Sequence, residues 1–249
     1  MNKNKNDIIE KRLGIPPDYQ YNALQSKNYI HSNWYKTKLD AIEKLLNVKK
    51  TNRILDIGPG SGNFEFMFAK KVKEIVAIDY NDEAVDFLKR KIKEKKIKNV
   101  KVQVGDVRKL GKVQRKFDII IMVDVIEHLN DKEAKKVIKS FKNILTRTGK
   151  VCIVTPNFKS GWVLLEWMLD AFRLAPELSG KQHLSKFDPK TLVKTFEDAK
   201  YKIDTFVSFN FLSFLIPHER LAKSCNRYEM NSKFTYGNLI AIVASKSRS

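Results

Sequence analysis

Cysteine is scarce in this sequence, which has only two among its 249 residues. Two thiols exclude the dense disulfide framework of small secreted domains, and Cys152 lies in an apolar run typical of a buried strand. No stretch approaches the roughly 20 apolar residues that a membrane-spanning helix needs. The first residues, MNKNKNDIIEKR, also lack the apolar core of a signal peptide. These absences predict a cytoplasmic protein.

Acidic residues are also outnumbered, because 28 Asp and Glu face 48 Lys and Arg, for a net charge of +20. Such an excess is compatible with binding to nucleic acid or to an anionic membrane. The excess is mostly lysine, and its densest part, residues 89–101, follows a predicted crossover helix away from the expected ligand edge. A charge run of this kind is typical of a solvated face. A nucleic-acid partner is therefore not favoured, although composition does not exclude one, and peripheral contact with an anionic membrane stays open.

Short apolar strands alternate with amphipathic helices from Arg53 onward. The segment FDIIIMV (117–123) is almost continuously apolar, as expected for a central parallel strand covered on both faces. This alternation indicates βαβ units. The predicted fold class is therefore α/β, with a Rossmann-like, open, mostly parallel seven-stranded sheet and helices on both faces.

The rhythm of the sequence divides the chain into four parts, which we expect to form a single domain. The amino-terminal part reads as a helical extension, and two apolar segments interrupt the later alternation as lids after the fifth and sixth strands. The parts are an extension at 1–52, a core at 53–157, an insertion at 158–187 and a carboxyl-terminal part at 188–249, with a second insertion near 209–236.

A glycine-rich turn follows the first predicted strand and opens directly into a helix. The run is LDIGPGSGNF (55–64), and the next strand ends in Asp79. Glycines let a ligand approach the backbone, and the helix offers free N–H groups at its start. An acid at the end of the second strand can bind both hydroxyls of a ribose. The dinucleotide pattern G-x-G-x-x-G would need a glycine where the chain has Asn63.

Five segments together resemble the class I S-adenosylmethionine-dependent methyltransferases. The turn at 55–62 resembles the first motif of that superfamily, and the remaining segments follow in the expected order. They are AIDYN (77–81), GDV (105–107), FDIIIMVDVIEHL (117–129) and GKVCIVTPN (149–157). Within the superfamily, V-I-E-H-L followed by T-P-N and H-L-x-x-F is loosely similar to the ubiquinone-biosynthesis O-methyltransferase type.

The resemblance implies S-adenosyl-L-methionine as methyl donor and S-adenosyl-L-homocysteine as product. It places Asp56 near the donor's sulfonium and amino group, Asp79 on the ribose hydroxyls and Asp106 on the adenine amino group. The full set of implied cofactor-binding residues is Asp56, Gly58, Pro59, Gly60, Gly62, Asp79, Tyr80, Asp106, Val107, Val123 and Asp124.

Two histidines are the candidate catalytic residues. His128 follows the fourth strand, and His183 leads back from the insertion into the fold. Either could act as a general base if the acceptor must lose a proton. The main prediction is that the site holds no metal. The alternative is a divalent cation held by Asp124, Glu127, His128 and His183. That set resembles the metal site of small-RNA 3′-terminal 2′-O-methyltransferases, which have Glu where this chain has Asp124.

Two apolar segments are expected to form a wall over the acceptor pocket, and an aromatic cluster is expected to cap either the donor site or that pocket. The segments are 161–175 and 209–217, and the cluster is Tyr29, Trp34 and Tyr35. Insertions after these strands lie on the ligand side of such a sheet. The sequence therefore predicts a small-molecule or lipid-like acceptor, methylated at oxygen or nitrogen. The alternative is an RNA methyltransferase, with or without a metal.

Overall fold

A computed structural model describes residues 15–112, 115–164, 167, 183–232 and 234–247. Its helices are α1 (Tyr19–Leu24), α2 (Tyr29–Leu46), α3 (Asn63–Phe68), α4 (Asp82–Glu94), α5 (Asp131–Phe141), α6 (Pro189–Asp198) and α7 (Glu219–Asn231). Its strands are β1 (Arg53–Ile57), β2 (Glu74–Asp79), β3 (Val100–Val104), β4 (Phe117–Val123), β5 (Leu145–Pro156), β6 (Tyr201–Phe209) and β7 (Leu239–Lys246). Short 3₁₀ turns lie at Ala69–Lys71, Val107–Lys112, Ile126–His128 and Ser213–Leu215.

The seven strands form one sheet in the order β3-β2-β1-β4-β5-β7-β6, which confirms the predicted α/β fold. β1 to β5 are parallel, and β7 runs antiparallel to both β5 and β6. β1 and β4 are neighbours although β2 and β3 separate them in sequence. After β3 the chain therefore crosses back to the other side of β1, and the resulting switch point between β1 and β4 opens a ligand crevice at the carboxyl ends of the strands.

Alternate residues of the central strands enter two hydrophobic cores, one on each face of the sheet. In β4, Ile120 and Met122 pack towards α5 and α6, while Ile119 and Ile121 pack towards α2, α3, α4 and α7. This explains the continuous apolar run in the sequence, because both faces of a central strand are covered.

The structure sets the ends of several elements. α4 begins at Asp82, and its cap is Asn81, whose side chain accepts the Glu83 N–H at 3.1 Å. β3 ends at Val104, before Asp106. β5 begins at Leu145.

The second predicted insertion contains a helix, α7, which the sequence did not reveal. The first insertion, 158–187, lies mostly outside the described residues. No helix in the described part of the chain has the length and apolar character that a bilayer crossing requires. The basic run 89–101 occupies the end of α4, the following turn and the start of β3, at the amino-terminal edge of the parallel strands.

Candidate active site

The turn between β1 and α3 has a backbone that requires glycine. Gly58 and Gly60 have φ values of 73° and 53°, in the left-handed region. A Cβ at Gly58 would lie 2.3 Å from Val125 Cγ2, and one at Gly60 would lie 2.6 Å from Gln20 Oε1. The turn is thus a cradle that a side chain would fill, which fits a ligand lying on the backbone.

The amino-terminal extension covers this turn. Ser61 Oγ donates a hydrogen bond to the Pro17 carbonyl at 2.8 Å, and Asn63 Nδ2 donates to the Gln20 carbonyl at 2.9 Å. The predicted extension therefore begins as a cap on the glycine-rich turn.

Asp79 lies beside the same turn, as predicted. Its side chain is 6% exposed, and its Oδ1 accepts the Asn81 N–H at 2.9 Å while Oδ2 accepts the Gly60 N–H at 3.3 Å. The next residue, Tyr80, is 40% exposed at the crevice. The structure therefore brings the acid of the second strand to the glycines of the first.

Asp56 is buried in β1 and has a neighbour that sequence reasoning missed. Glu65, in the first turn of α3, is fully buried and lies against Asp56. Burial raises the pKa of both carboxyls, that of Asp56 to about 7. No signal in the segment NFEFMF distinguishes this buried glutamate from one on a solvated helix face.

Asp106 and Val107 follow β3. Asp106 forms a bidentate pair with Arg108, with Nε–Oδ1 and Nη2–Oδ2 distances of 2.8 Å. Burial raises the pKa of Asp106, but the hydrogen bonds from Arg108 outweigh it and leave the pKa below its ordinary value. Val107 is buried in the sheet's core. An adenine amino group at Asp106 would share a carboxylate that Arg108 already holds.

The end of β4 carries Asp124, which was predicted, and places it against Lys38 of α2, a second residue that the sequence did not reveal. Asp124 has a left-handed backbone, with φ of 53°, and its carboxylate forms an ion pair with Lys38 of α2. Lys38 is only 5% exposed, and its ammonium lies 5.7 Å from the Trp34 ring centroid and 5.3 Å from that of Tyr35. Oδ1 of Asp124 is buried without a hydrogen-bond partner among the described residues. The neighbouring Val123 is partly buried.

Glu127, His128 and His183 meet beside the end of β4. One ligand atom from each lies within 4.8 Å of the others, and the two imidazole rings stack with centroids 5.3 Å apart. Thr155 Oγ1 donates to Glu127 Oε2 at 2.9 Å. Burial raises the pKa of Glu127, while the two histidines oppose this. Asp124 is outside the group, so three of the four alternative metal ligands come together.

The segment that carries His183 is fixed to the turn that carries His128. The Leu184 and Ser185 N–H groups donate to the Glu127 carbonyl at 2.8 and 3.0 Å. Ser185 Oγ donates to the Leu129 carbonyl at 2.7 Å. The pairing of the two histidines thus follows from backbone contacts, which explains how residues far apart in sequence form one cluster.

Aromatic rings from three segments pack around Trp34 and form a wall. The Trp34 centroid lies 5.5 Å from that of Trp162 and 5.1 Å from that of Phe214. Asn33 Nδ2 donates to the Ile216 carbonyl at 2.6 Å, which joins α2 to the second insertion. Of the predicted aromatic cluster, Tyr29 is 43% exposed, whereas Trp34 and Tyr35 are half-buried and lie near the Lys38 ammonium.

The comparisons with known proteins agree with this architecture. Residues 48–208 match the family described as "Methyltransferase domain". This is more than half of the chain, which therefore belongs to that family. The chain is thereby also a member of the class I S-adenosylmethionine-dependent methyltransferase superfamily, whose methyl donor is S-adenosyl-L-methionine.

Two curated relatives and one solved structure illustrate the similarity. An uncharacterized methyltransferase of Schizosaccharomyces pombe is 31% identical over 161 residues, which cover 61% of this chain and 57% of the relative. The ubiquinone biosynthesis O-methyltransferase of Coxiella burnetii is 26% identical over 142 residues, 56% of this chain and 59% of that protein. The chain thus spans somewhat more than half the length of these relatives.

The crystal structure of magnesium protoporphyrin IX methyltransferase from Synechocystis PCC 6803, with bound SAH, shares the fold. Its TM-score is 0.62 at 14% sequence identity, with 92% of this chain and 93% of that chain covered. At this identity the likeness concerns the fold alone.

Proposed function

We propose that this protein transfers a methyl group from S-adenosyl-L-methionine to an oxygen or nitrogen of a small-molecule or lipid-like acceptor. One observation carries the acceptor class. The wall of Trp34, Trp162 and Phe214 is joined to Asp124 at the end of β4 by Lys38, whose ammonium pairs with Asp124 and lies 5.7 Å from the Trp34 ring centroid. A mostly apolar enclosure with a few polar groups is typical of small-ligand sites. The relative from Coxiella burnetii is named for a small lipid-like product, which agrees with this proposal.

The donor would bind over the glycine turn. Its ribose hydroxyls would be accepted by Asp79, its adenine would lie between Tyr80 and the Asp106–Val107 segment, and its methionine part would lie on Gly58 to Gly62. The bound donor supplies an electrophilic methyl group on a sulfonium. The chain's own residues would orient the substrates and exclude water. The cap at Pro17–Gln20 and the aromatic wall would contribute to both effects.

His128 or His183 would accept the proton that the acceptor loses. Thr155 donates a hydrogen bond to the buried Glu127 carboxyl, which has an oxygen within 4.8 Å of a nitrogen of each imidazole and would orient the histidines. The same three side chains are also close enough to bind a divalent cation, which is the alternative chemistry. Chelation distinguishes the two, because a base needs no cation and EDTA would leave its rate unchanged.

The donor site is tested by titrating S-adenosyl-L-homocysteine calorimetrically into the wild-type protein and into Asp79→Asn. Loss of a charge-assisted hydrogen bond should weaken binding by about 10- to 100-fold. Asp118→Asn is the matched control, since Asp118 accepts the Arg53 N–H at 2.8 Å at the opposite edge of the sheet. Equal affinities of all three proteins would contradict the proposed donor site.

The acceptor is tested by incubating the protein with labelled donor and separate small-molecule, lipid and RNA fractions of a cell extract. Label in a small-molecule or lipid fraction supports the proposal, and label in RNA alone replaces it with the RNA alternative. We further propose that the chain acts as one domain in the cytoplasm, with any membrane contact peripheral. Co-sedimentation with anionic vesicles measures that contact.

A further inference from the structure

Three carboxyl groups meet on one face of the sheet beneath the glycine turn. Asp56 comes from β1, Asp79 from β2 and Glu65 from α3, and their exposed fractions are 3%, 6% and 0%. Asp79 accepts two backbone N–H groups. Neither carboxyl oxygen of Glu65 accepts a hydrogen bond from any described residue, although the group lies against Asp56. In the described structure neither Asp56 nor Glu65 has an ion-pair partner.

A hydrogen bond between the Asp56 and Glu65 carboxyls requires a proton on one of them. Ionised carboxylates only accept hydrogen bonds, so two of them cannot bond to each other unless one is protonated. Burial raises the pKa of Glu65 well above its ordinary value, and the Asp56 charge adds to this. The pKa of Asp56 rises to about 7 through burial, with the Asp79 charge adding and the bonds from Glu65 and the Ile57 N–H opposing. Glu65 is therefore the member that keeps its proton.

We propose that Glu65 is held as a neutral carboxylic acid that donates its O–H to Asp56 and so orients the Asp56 carboxylate towards the cationic amine of the methyl donor. The inference rests on the proposed donor site and goes beyond it by assigning Glu65. Glu65 acts through Asp56 and is a positioning residue. The cation neutralises a charge that would otherwise be buried beside Asp79, which makes the site selective for a donor with a protonated amine.

This arrangement makes donor binding depend on pH. Below about pH 7 Asp56 also carries a proton, which it must release to pair with a cation. Affinity should therefore fall as the pH falls through that range, with proton release on binding at low pH and none at high pH. Asp56 and Glu65 face each other, and among the described residues the other charged group that faces them is Asp79.

The test is calorimetric titration of S-adenosyl-L-homocysteine at pH 6 and pH 8, each in two buffers of different ionisation enthalpy. The wild-type protein should release roughly one proton at pH 6 and almost none at pH 8. Asp56→Asn should release none at either pH. The probe 5′-methylthioadenosine, which lacks the amine, should bind without proton release. Equal release at the two pH values, or release with 5′-methylthioadenosine, overturns the inference.

A matched pair of substitutions tests whether Glu65 is a neutral hydrogen-bond donor or an ionised hydrogen-bond acceptor. Glu65→Gln keeps an N–H donor towards Asp56, and its affinity at pH 8 should stay within about threefold of wild type, whereas Glu65→Met should lose about tenfold or more. Circular dichroism and urea unfolding establish that both variants fold. Equal losses in the two folded variants overturn the inference.

Carboxyl NMR titration of the ligand-free wild-type protein covers the case in which a variant does not fold. We expect one carboxyl that titrates near pH 7 and a neighbour that stays protonated beyond it. Two carboxyls that both titrate below pH 5 overturn the inference. If the homocysteine product does not bind at any pH, the proposed function fails, and the NMR titration still decides the state of the pair.

Discussion

Replacing Lys38 by methionine should destabilise the fold, because it removes the charge that balances Asp124. Methionine keeps the apolar stem of the side chain, so the change isolates the ammonium. Removing one partner of a fully buried ion pair costs about 3–5 kcal/mol. Lys38 is 5% exposed, but the side chain of Asp124 is 29% exposed, so water compensates part of the loss. We therefore expect the free energy of unfolding to fall by about 1–3 kcal/mol.

The matched control is Lys36→Met on the same helix. Lys36 pairs with Glu219 at 2.9 Å, but the two side chains are 31% and 46% exposed, which predicts a loss below about 1 kcal/mol. Urea unfolding of both variants, of Asp124→Asn and of the Lys38→Met/Asp124→Asn double variant gives the coupling energy. If Lys38→Met costs no more than Lys36→Met and the coupling is below about 0.5 kcal/mol, the pair does not stabilise the site.

Two further predictions concern the glycine turn and the acid stability of the ion pair between α2 and α7. Gly60→Ala should weaken S-adenosyl-L-homocysteine binding about tenfold, since φ is 53° and the new Cβ would meet Gln20, whereas calorimetry should show no change for Gly161→Ala, which has no neighbour closer than 3.7 Å. Hydrogen bonds from Lys223 and Lys36 lower the pKa of Glu219 to about 2. Its contribution to stability is therefore present above its ordinary value of 4.5 and lost as the pH falls towards 2. Because Glu219 is 46% exposed, unfolding of wild type and Glu219→Gln between pH 5 and 2 should differ by less than about 1 kcal/mol.

The sheet could be predicted from sequence because its signals are local. The apolar run of β4, the glycine turn after β1 and the acid that ends β2 are each read within a few residues, and the parallel fold brings them to one edge. The start of α6 has a local signal of the same kind, because Asp188 is followed by Pro189 and the Asp188 side chain accepts the Thr191 N–H at 2.8 Å.

The residues that sequence reasoning missed owe their roles to contacts distant in the chain. Glu65 and Lys38 are charged residues within helices, and a charge at such a position usually faces solvent. Only the packing of α3 on β1 and of α2 on the end of β4 buries them. The glycine and acid motifs predict which edge of the sheet binds the ligand. The buried charges of Glu65 and Lys38 behind that edge depend on tertiary structure.

Helix α7 was not predicted from the sequence for a related reason, because polar contacts hold it in place. Glu229 accepts the N–H groups of Phe211, Leu212 and Ser213 at 2.9, 3.0 and 3.1 Å, and Arg227 pairs with Asp40 of α2. The few apolar positions on its buried side, such as Ala222 and Met230, give only a weak helical period.

The amino-terminal helices touch both halves of the proposed site. Residues 17–20 contact the glycine turn. Further along the same segment, Trp34 forms part of the aromatic wall and Lys38 pairs with Asp124. One segment therefore contacts both the proposed donor site and the proposed acceptor site. A substitution that loosens the packing of α1 on α2 should change the KM values for donor and acceptor together, and such a change would link the two substrates kinetically through a part of the chain that neither motif reveals.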